Sequence, residues 1–246
     1  MERIDRLTTL MTRFKLSVRP APPEEATLAA TADADGAPDM VLFRAAAPFG
    51  AAPAARVLFS ASVDWGGPAN PLMAALPPTV AFDVSEDAES AGLIRLMGSE
   101  MTARRCGAPS VVSRLGEVLI VRMLRAQIEA GAAQPGLLAG LADPRLSRAI
   151  VAIHDRPGRA WRNEDLAREA GLSLSRFSET FLAAVGEPPA GYLRRWRLTL
   201  ARQDMLAGDR VEAVARRYGF ASPEGFARAF RKRFGANPVT LRPRAA

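Results

Sequence analysis

His154 and Cys106 are the sole histidine and the sole cysteine of the 246-residue chain, and they bound the covalent and metal chemistry open to it. Tetrahedral zinc needs several Cys or His ligands at short spacing. One of each, far apart in sequence, cannot supply that set, and no metal site is expected. His154 sits at the end of a helical pattern and reads as a structural residue rather than a general base. Cys106, in "MTARRCGAP", follows Arg104 and Arg105, and neighbouring cations lower a thiol pKa. A thiol sensor is therefore one reading, with a bystander cysteine the plainer one. "DVSEDAES" (83–90) gathers carboxylates but reads as a surface loop or a helix start. Phosphate loops, dinucleotide fingerprints and hydrolase elbows do not occur. The expectation is a protein that is not an enzyme and uses no cofactor.

Charge points elsewhere. Residues 145–246 carry 20 Arg and Lys against 10 Asp and Glu, whereas 1–144 carry 13 against 16. A basic C-terminal part on a mildly acidic N-terminal part reads as a polyanion-binding module joined to something else. The single cysteine rules out an internal disulfide framework and suits a reducing compartment. The opening "MERIDRLTTLMTRFKLSVRP" lacks a signal-peptide core, and no apolar run approaches the roughly eighteen residues of a membrane span. A soluble, cytoplasmic protein without membrane association is expected.

The basic part contains a repeat. "AGLSLSRFSETFLAAVGEPP" (170–189) is a degenerate copy of "YGFASPEGFARAFRKRFGANP" (218–238). Gly171 matches Gly219, Ser173 matches Ser222, and Phe177, Phe181 and Val185 match Phe226, Phe230 and Phe234. Gly186 matches Gly235, and Pro189 matches Pro238. The offset is 48 at the first glycine and 49 from the serine onward, so one extra residue falls in the turn. Short helical patterns, "EDLAREA" and "VEAVARR", precede the two copies. The unit reads as helix, glycine turn, second helix and glycine stop: a duplicated helix-turn-helix.

The i+4 aromatic stripe must face the core, and that fixes the phase of each second helix. The opposite face of the first copy then presents Ser175, Arg176, Ser178 and Glu179. In the second copy it presents Glu224, Gly225, Ala227 and Arg228, with Arg231 and Lys232 a turn further on. N-terminal residues of such a helix reach base edges in the major groove, where Arg reads guanine and Glu accepts from cytosine. "GYLRRWRLTLARQDMLAG" (191–208) reads as a long helix spacing the two units. Arg194, Arg195, Arg197, Arg231 and Lys232 are expected on phosphates, which give affinity without sequence information.

Elsewhere, residues 20–56 are rich in Ala, Pro and Gly and read as loop or partly disordered chain, apart from short apolar runs at 40–45 and 55–65 that could be strands. Residues 109–130 form a helix whose apolar face exceeds what a surface helix needs, which suits dimerisation or contact with the DNA-binding part as well as an ordinary core. Asp143 should cap a helix beginning at Pro144, and Asn163 the helix after it.

On these residues the chain resembles a known family. Residues 144–244 resemble the DNA-binding domain of AraC/XylS-type transcriptional regulators. The duplicated unit, the connecting helix, "GFASPEGFARAFRKRFGANP" and "TLRPR" carry the likeness. It implies seven helices on a bipartite DNA site, with base contacts at Ser175, Arg176, Ser178, Glu179, Glu224, Gly225 and Arg228. "ANPLMAALPPTV" (69–80), the 109–130 helix and "LLAGLADPRLSRAI" resemble the sensor half of one subgroup, a cupin-like barrel followed by helices. Only about 65 residues precede that segment, so a shortened barrel is expected. An effector pocket belongs to the same resemblance, and a homodimer formed through this region is expected from the apolar face of the 109–130 helix.

The sequence thus predicts an α+β protein. Residues 1–135 form a regulatory and dimerisation region with a small cupin-like β part, and 143–246 an all-α double helix-turn-helix domain binding double-stranded DNA. A non-specific DNA-compacting protein is the alternative, because the first copy is poor in long donors.

Overall fold

The computed structural model describes residues 5–51, 55–66, 70–131 and 134–241. Contacts divide the chain at 13/14 and again at 132/133, giving one unit from the segment between and a second from the two flanking pieces. Parts of three quoted stretches, at residues 1–4, Ala69 and residues 242–244, lie outside the described residues.

The unit over 14–132 is a five-stranded antiparallel sheet carrying two long helices. Its strands are β1 (Ser17–Pro20), β2 (Leu28–Ala32), β3 (Pro38–Arg44), β4 (Arg56–Asp64) and β5 (Thr79–Asp83), ordered β1-β4-β2-β3-β5. The two runs read as strands become β3 and β4. The loop expected over the Ala-rich stretch is corrected at β2, "LAATA", where every residue is buried between β3 and β4. Small side chains suit a strand covered on both faces, and they give no alternation for a sequence reading to detect. Asp33 closes the β2–β3 hairpin, its carboxylate accepting from the N–H groups of Asp35 and Ala37.

Helices α2 (Pro71–Ala75), α3 (Ala88–Ala103) and α4 (Ala108–Ala130) complete this unit. Buried Asn70 caps α2 by accepting from Leu72 N–H, and donates to the Trp65 carbonyl. Asp87 caps α3, accepting from Ser90 N–H at 3.0 Å, so the acidic stretch is indeed a helix start. Arg122 of α4 reaches across to Asp87, at 2.8 Å, and to the Ser90 hydroxyl. Against a burial penalty, the Ser90 groups and the Arg122 guanidinium hold the Asp87 carboxyl down to about 2. Gly116 seats α4 on β1, since a Cβ there would lie 2.6 Å from Val18. The buried stripe runs through Val112, Leu119, Ile120, Met123, Leu124 and Ile128, and leaves Val111 and Val118 exposed.

The second unit is helical: α1 (Thr8–Arg13), α5 (Leu137–Ala142), α6 (Leu146–Asp155), α7 (Asn163–Ala170), α8 (Leu174–Val185), α9 (Pro189–Leu206), α10 (Val211–Arg217) and α11 (Pro223–Phe234). A 3-10 turn, Pro238–Leu241, closes it. Thus α6 to α11 and this turn make seven helical elements. The N-terminal boundary differs from the sequence reading, because α1 belongs here. It packs on α6, with Leu10 fully buried, Thr9 bonded to Asp155, and Gln203 donating to the Arg13 carbonyl at 3.1 Å.

The expected caps are partly corrected. Helix α6 begins at Leu146 rather than Pro144, yet the Asp143 carboxylate accepts from Arg145 and Leu146 N–H. Asn163 is the first residue of α7 rather than its cap, and Asp165 reaches back to Arg162 N–H instead.

His154 is buried in this core, bonded through Nε2 to the Tyr192 hydroxyl at 2.6 Å and lying against Trp196. Burial, then the nearby Arg195 charge, pushes its pKa from 6.5 down to about 3. The imidazole is therefore neutral when folded. An unfolded histidine takes up a proton near 6.5 and the folded one only near 3, so its contribution to stability is complete above 6.5 and is lost as pH falls through that window. As the only histidine, it gives one pair of imidazole C–H proton signals. Both should stay at their neutral positions from about pH 8 to about pH 5 in an NMR titration of the folded protein. A midpoint near 6.5 would contradict the burial described.

The two helix-turn-helix halves meet backbone to backbone. A Cβ on Gly158, in the loop after α6, would lie 2.2 Å from the Arg217 carbonyl, and one on Gly219 2.8 Å from the Gly158 carbonyl. Arg197 of α9 reaches the same place, its Nε donating to the Pro157 carbonyl at 2.7 Å and an Nη to Arg159 at 2.6 Å. Gly158→Ala should force these turns apart. About 1–3 kcal/mol of stability should be lost in denaturant titration, while the helix content by circular dichroism is retained.

Candidate nucleic-acid interface

Local chemistry builds the two halves alike. In the first, Gly171 (φ +65°) ends α7 and Leu172 N–H bonds back to the Ala167 carbonyl at 2.9 Å. In the second, Gly219 (φ +68°) follows α10 and Phe220 N–H bonds back to Ala215, also at 2.9 Å. Only glycine takes this left-handed turn without strain. The extra residue of the second copy is then Ala221, between Phe220 and the cap.

Ser173 caps α8 by accepting from Arg176 N–H, and Ser222 caps α11 by accepting from Gly225 N–H at 3.0 Å. Both helices run twelve residues and stop at left-handed glycines, Gly186 and Gly235. The aromatic stripes face inward as expected. Phe177, Phe181, Phe226 and Phe230 are fully buried, Val185 is buried, and Phe234 is half-buried against Phe230 and beneath Arg202 and Arg233. Truncating one buried Phe of this kind to Ala typically costs about 3–5 kcal/mol.

With the stripes buried, the opposite faces are solvent-facing. Ser175, Arg176 and Glu179 are exposed on α8 and Ser178 is half-buried. The Ser175 hydroxyl donates to Glu179 at 3.3 Å, and that of Ser178 donates to the Leu174 carbonyl at 2.9 Å. On α11, Glu224 and Arg228 are exposed and Gly225 is half-buried. The backbone N–H of Glu224 itself, the Ser222 hydroxyl and the Arg228 charge hold the Glu224 carboxyl below its usual range. It stands ionised in the positive first turn of the helix. Leu174 and Leu182 are also exposed on α8.

Helix α9 joins the halves and touches α8, α10 and α11. The expected stripe of Leu193, Trp196 and Leu200 is buried, and so are Tyr192, Leu198, Ala201 and Met205. The helix is therefore packed on two sides, as a strut between two bodies must be. Arg217 ties α10 to it through Asp204 and also pairs with Asp209 in the turn between the two helices, and Tyr218 donates to Asp204 at 2.8 Å.

Of the residues expected on phosphates, Arg194, Arg231 and Lys232 are exposed. Arg195 and Arg197 are not open cations. Arg195 is half-buried, paired with Glu187 at 2.6 Å and set over the Tyr192 ring, while Arg197 is spent on the carbonyls of Pro157 and Arg159. Glu187 stands only eight residues before Arg195, but the Arg197 partners lie in a loop that only the fold brings near, so spacing alone could not assign them. Gly158 was missed for the same reason, although a glycine facing a second turn glycine was a usable hint. Around Cys106, which is exposed, Arg105 is drawn off to Glu100 at 2.7 Å.

Comparison with known proteins agrees with this geometry. Residues 166–244 match the model of a helix-turn-helix domain family, and residues 11–129 that of a cupin family. An AraC-like transcription regulator of Streptomyces lividans is 33% identical over 70% of this chain and 58% of its own length. One from Streptomyces antibioticus is 34% identical over 58% of this chain and 48% of its own. The chain thus spans about half the length of these relatives. The solved DNA-binding domain of AdpA, in complex with a target DNA, is 30% identical over 40% of this chain and 88% of that one, with a TM-score of 0.36. No helix among the described residues is long and apolar enough to cross a membrane. With a cupin match on the sheet unit, a helix-turn-helix match on the helical one and AraC-like regulators as relatives, the chain belongs to the AraC/XylS-type family of transcriptional regulators.

Proposed function

We propose that this protein is a cytoplasmic, sequence-specific regulator of transcription that reads a two-part site on double-stranded DNA by lodging α8 and α11 in successive major grooves. One observation carries the reading. Two helix pairs with matching turns, caps and stops bury their aromatic sides and leave their polar sides exposed. Helix α9, eighteen residues long, spans about 27 Å. That is the same order as the ~34 Å turn that separates successive major grooves on one face of a duplex.

In this reading Arg228 bonds the O6 and N7 of guanine, and ionised Glu224 accepts from the cytosine amino group. Gly225 lets the backbone approach the bases, since a Cβ there would meet only the Ser222 hydroxyl. On α8, Arg176 and Glu179 are the long polar readers, with Ser175 and Ser178 adaptable beside them. Arg194, Arg231 and Lys232 hold phosphates. Arg195 and Arg197 serve the protein's own geometry. The cupin-like unit supplies regulation and pairs two copies through the exposed Val111 and Val118 side of α4. Sedimentation of the full chain should give a dimer that Val118→Glu converts to monomer.

Selection from a random DNA pool should return a bipartite motif. Arg228→Ala should cost about 1–3 kcal/mol and relax preference at one position of that motif. Lys232→Ala should weaken all sequences alike and reduce the salt slope by about one. Equal losses for Arg228→Ala on selected and random DNA would remove the base-reading assignment.

A further inference from the structure

The duplicated readers are chemically unequal at matched positions. Under the 49-residue offset, Glu179 of α8 corresponds to Arg228 of α11, Leu182 to Arg231 and Ala183 to Lys232. Arg231 and Lys232 are exposed cations in the last turns of α11. The matched turns of α8 carry no charge. Leu182 is instead a large apolar side chain, 49% exposed.

Its position on the helix gives that exposure a meaning. Residues 175, 178, 179 and 182 recur at helical spacing and form one strip, and the Ser175–Glu179 hydrogen bond shows its first two turns side by side. The strip lies opposite the buried Phe177 and Phe181. If α8 enters a major groove, Leu182 enters with Ser175, Ser178 and Glu179. A leucine can bond neither a phosphate nor a polar base edge. The apolar group that the major groove offers is the 5-methyl of thymine.

We infer that Leu182 is a specificity-determining residue that packs on a thymine 5-methyl group in the half-site read by α8. This inference rests on the reading of α8 as a helix that enters the groove. It makes the two halves of the interface different in kind. Helix α11 gains affinity from phosphates through Arg231 and Lys232, and α8 selects thymine by shape and apolar contact.

The test uses the full chain and a duplex obtained by selection. Each thymine in the α8 half-site is replaced singly by deoxyuridine, which removes the methyl and keeps the hydrogen-bonding edge. For the wild-type protein one replacement should weaken binding about fourfold, the equivalent of ~0.8 kcal/mol for one buried methyl-sized group. The same replacement in the α11 half-site should change nothing. In Leu182→Ala the two duplexes should bind alike. In Leu182→Arg the thymine preference should vanish and the salt slope should rise by about one.

Insensitivity of the wild type to every replacement would overturn the inference, and a discrete footprint on the same DNA would show that groove reading itself still stands. An undiminished deoxyuridine effect in Leu182→Ala would also overturn it and assign the leucine to a protein surface. Absence of any discrete footprint would instead remove the underlying reading, and the inference with it.

Discussion

The contact between the loop after α6 and the turn before α11 sets how the two helix-turn-helix halves meet. Neither Gly158 nor Gly219 leaves room for a side chain there, so two stretches of main chain approach as closely as their atoms allow. Arg197 fills the remaining hydrogen-bonding need by donating to two carbonyls of the same loop. Contacts between backbones are stiff, because they involve no rotamers that could relax. Helix α9 touches α8, α10 and α11, and the glycine contact joins the halves at a second place. In the proposed reading of a bipartite DNA site both constraints matter, because two helices in successive grooves must agree in separation and in angle.

The electrostatics follow from that rigidity. Arginine is abundant enough to serve two purposes, and burial separates them. Arg195 and Arg197 are half-buried and committed to Glu187 and to carbonyl oxygens, whereas Arg228, Arg231 and Lys232 are exposed on α11. Lysine could not replace Arg197 equivalently, since its single ammonium cannot send two fixed donors to two carbonyls of one loop. The buried His154–Tyr192 pair belongs to the same scaffold. Kept neutral by burial, it binds α6 to α9 without bringing a charge into an aromatic core.

Legibility in the sequence followed the range of the interactions. The duplicated pairs, their serine caps, their glycine stops and the inward phase of the phenylalanines are set within a few residues of each position, and the structure has each of them where spacing put it. Exposure of Arg228 and Glu179 follows from the same phase. Strand β2 was not legible, because a leucine and four small residues, all buried, show no alternation. Asn163 looked like a cap because its type suits one, yet the reciprocal bond from Asp165 moved the helix start by one residue. The partners of Arg195 and Arg197 were not legible, because an arginine among arginines announces its charge but not its partner. The membership of α1 depended on contacts with α6 and Gln203, more than a hundred residues away.

That last feature makes the helical unit discontinuous. Its first helix is separated from the rest by the whole sheet-bearing segment, so the peptide chain crosses between the units twice. The sheet unit is in effect an insertion within the helical one, anchored at both ends to a single body. A cut near residue 133 therefore does not separate two self-sufficient halves. It strips α6 of the helix that covers it, and it leaves Leu7 and Leu10 on a short amphipathic tail with nothing of their own to bury against.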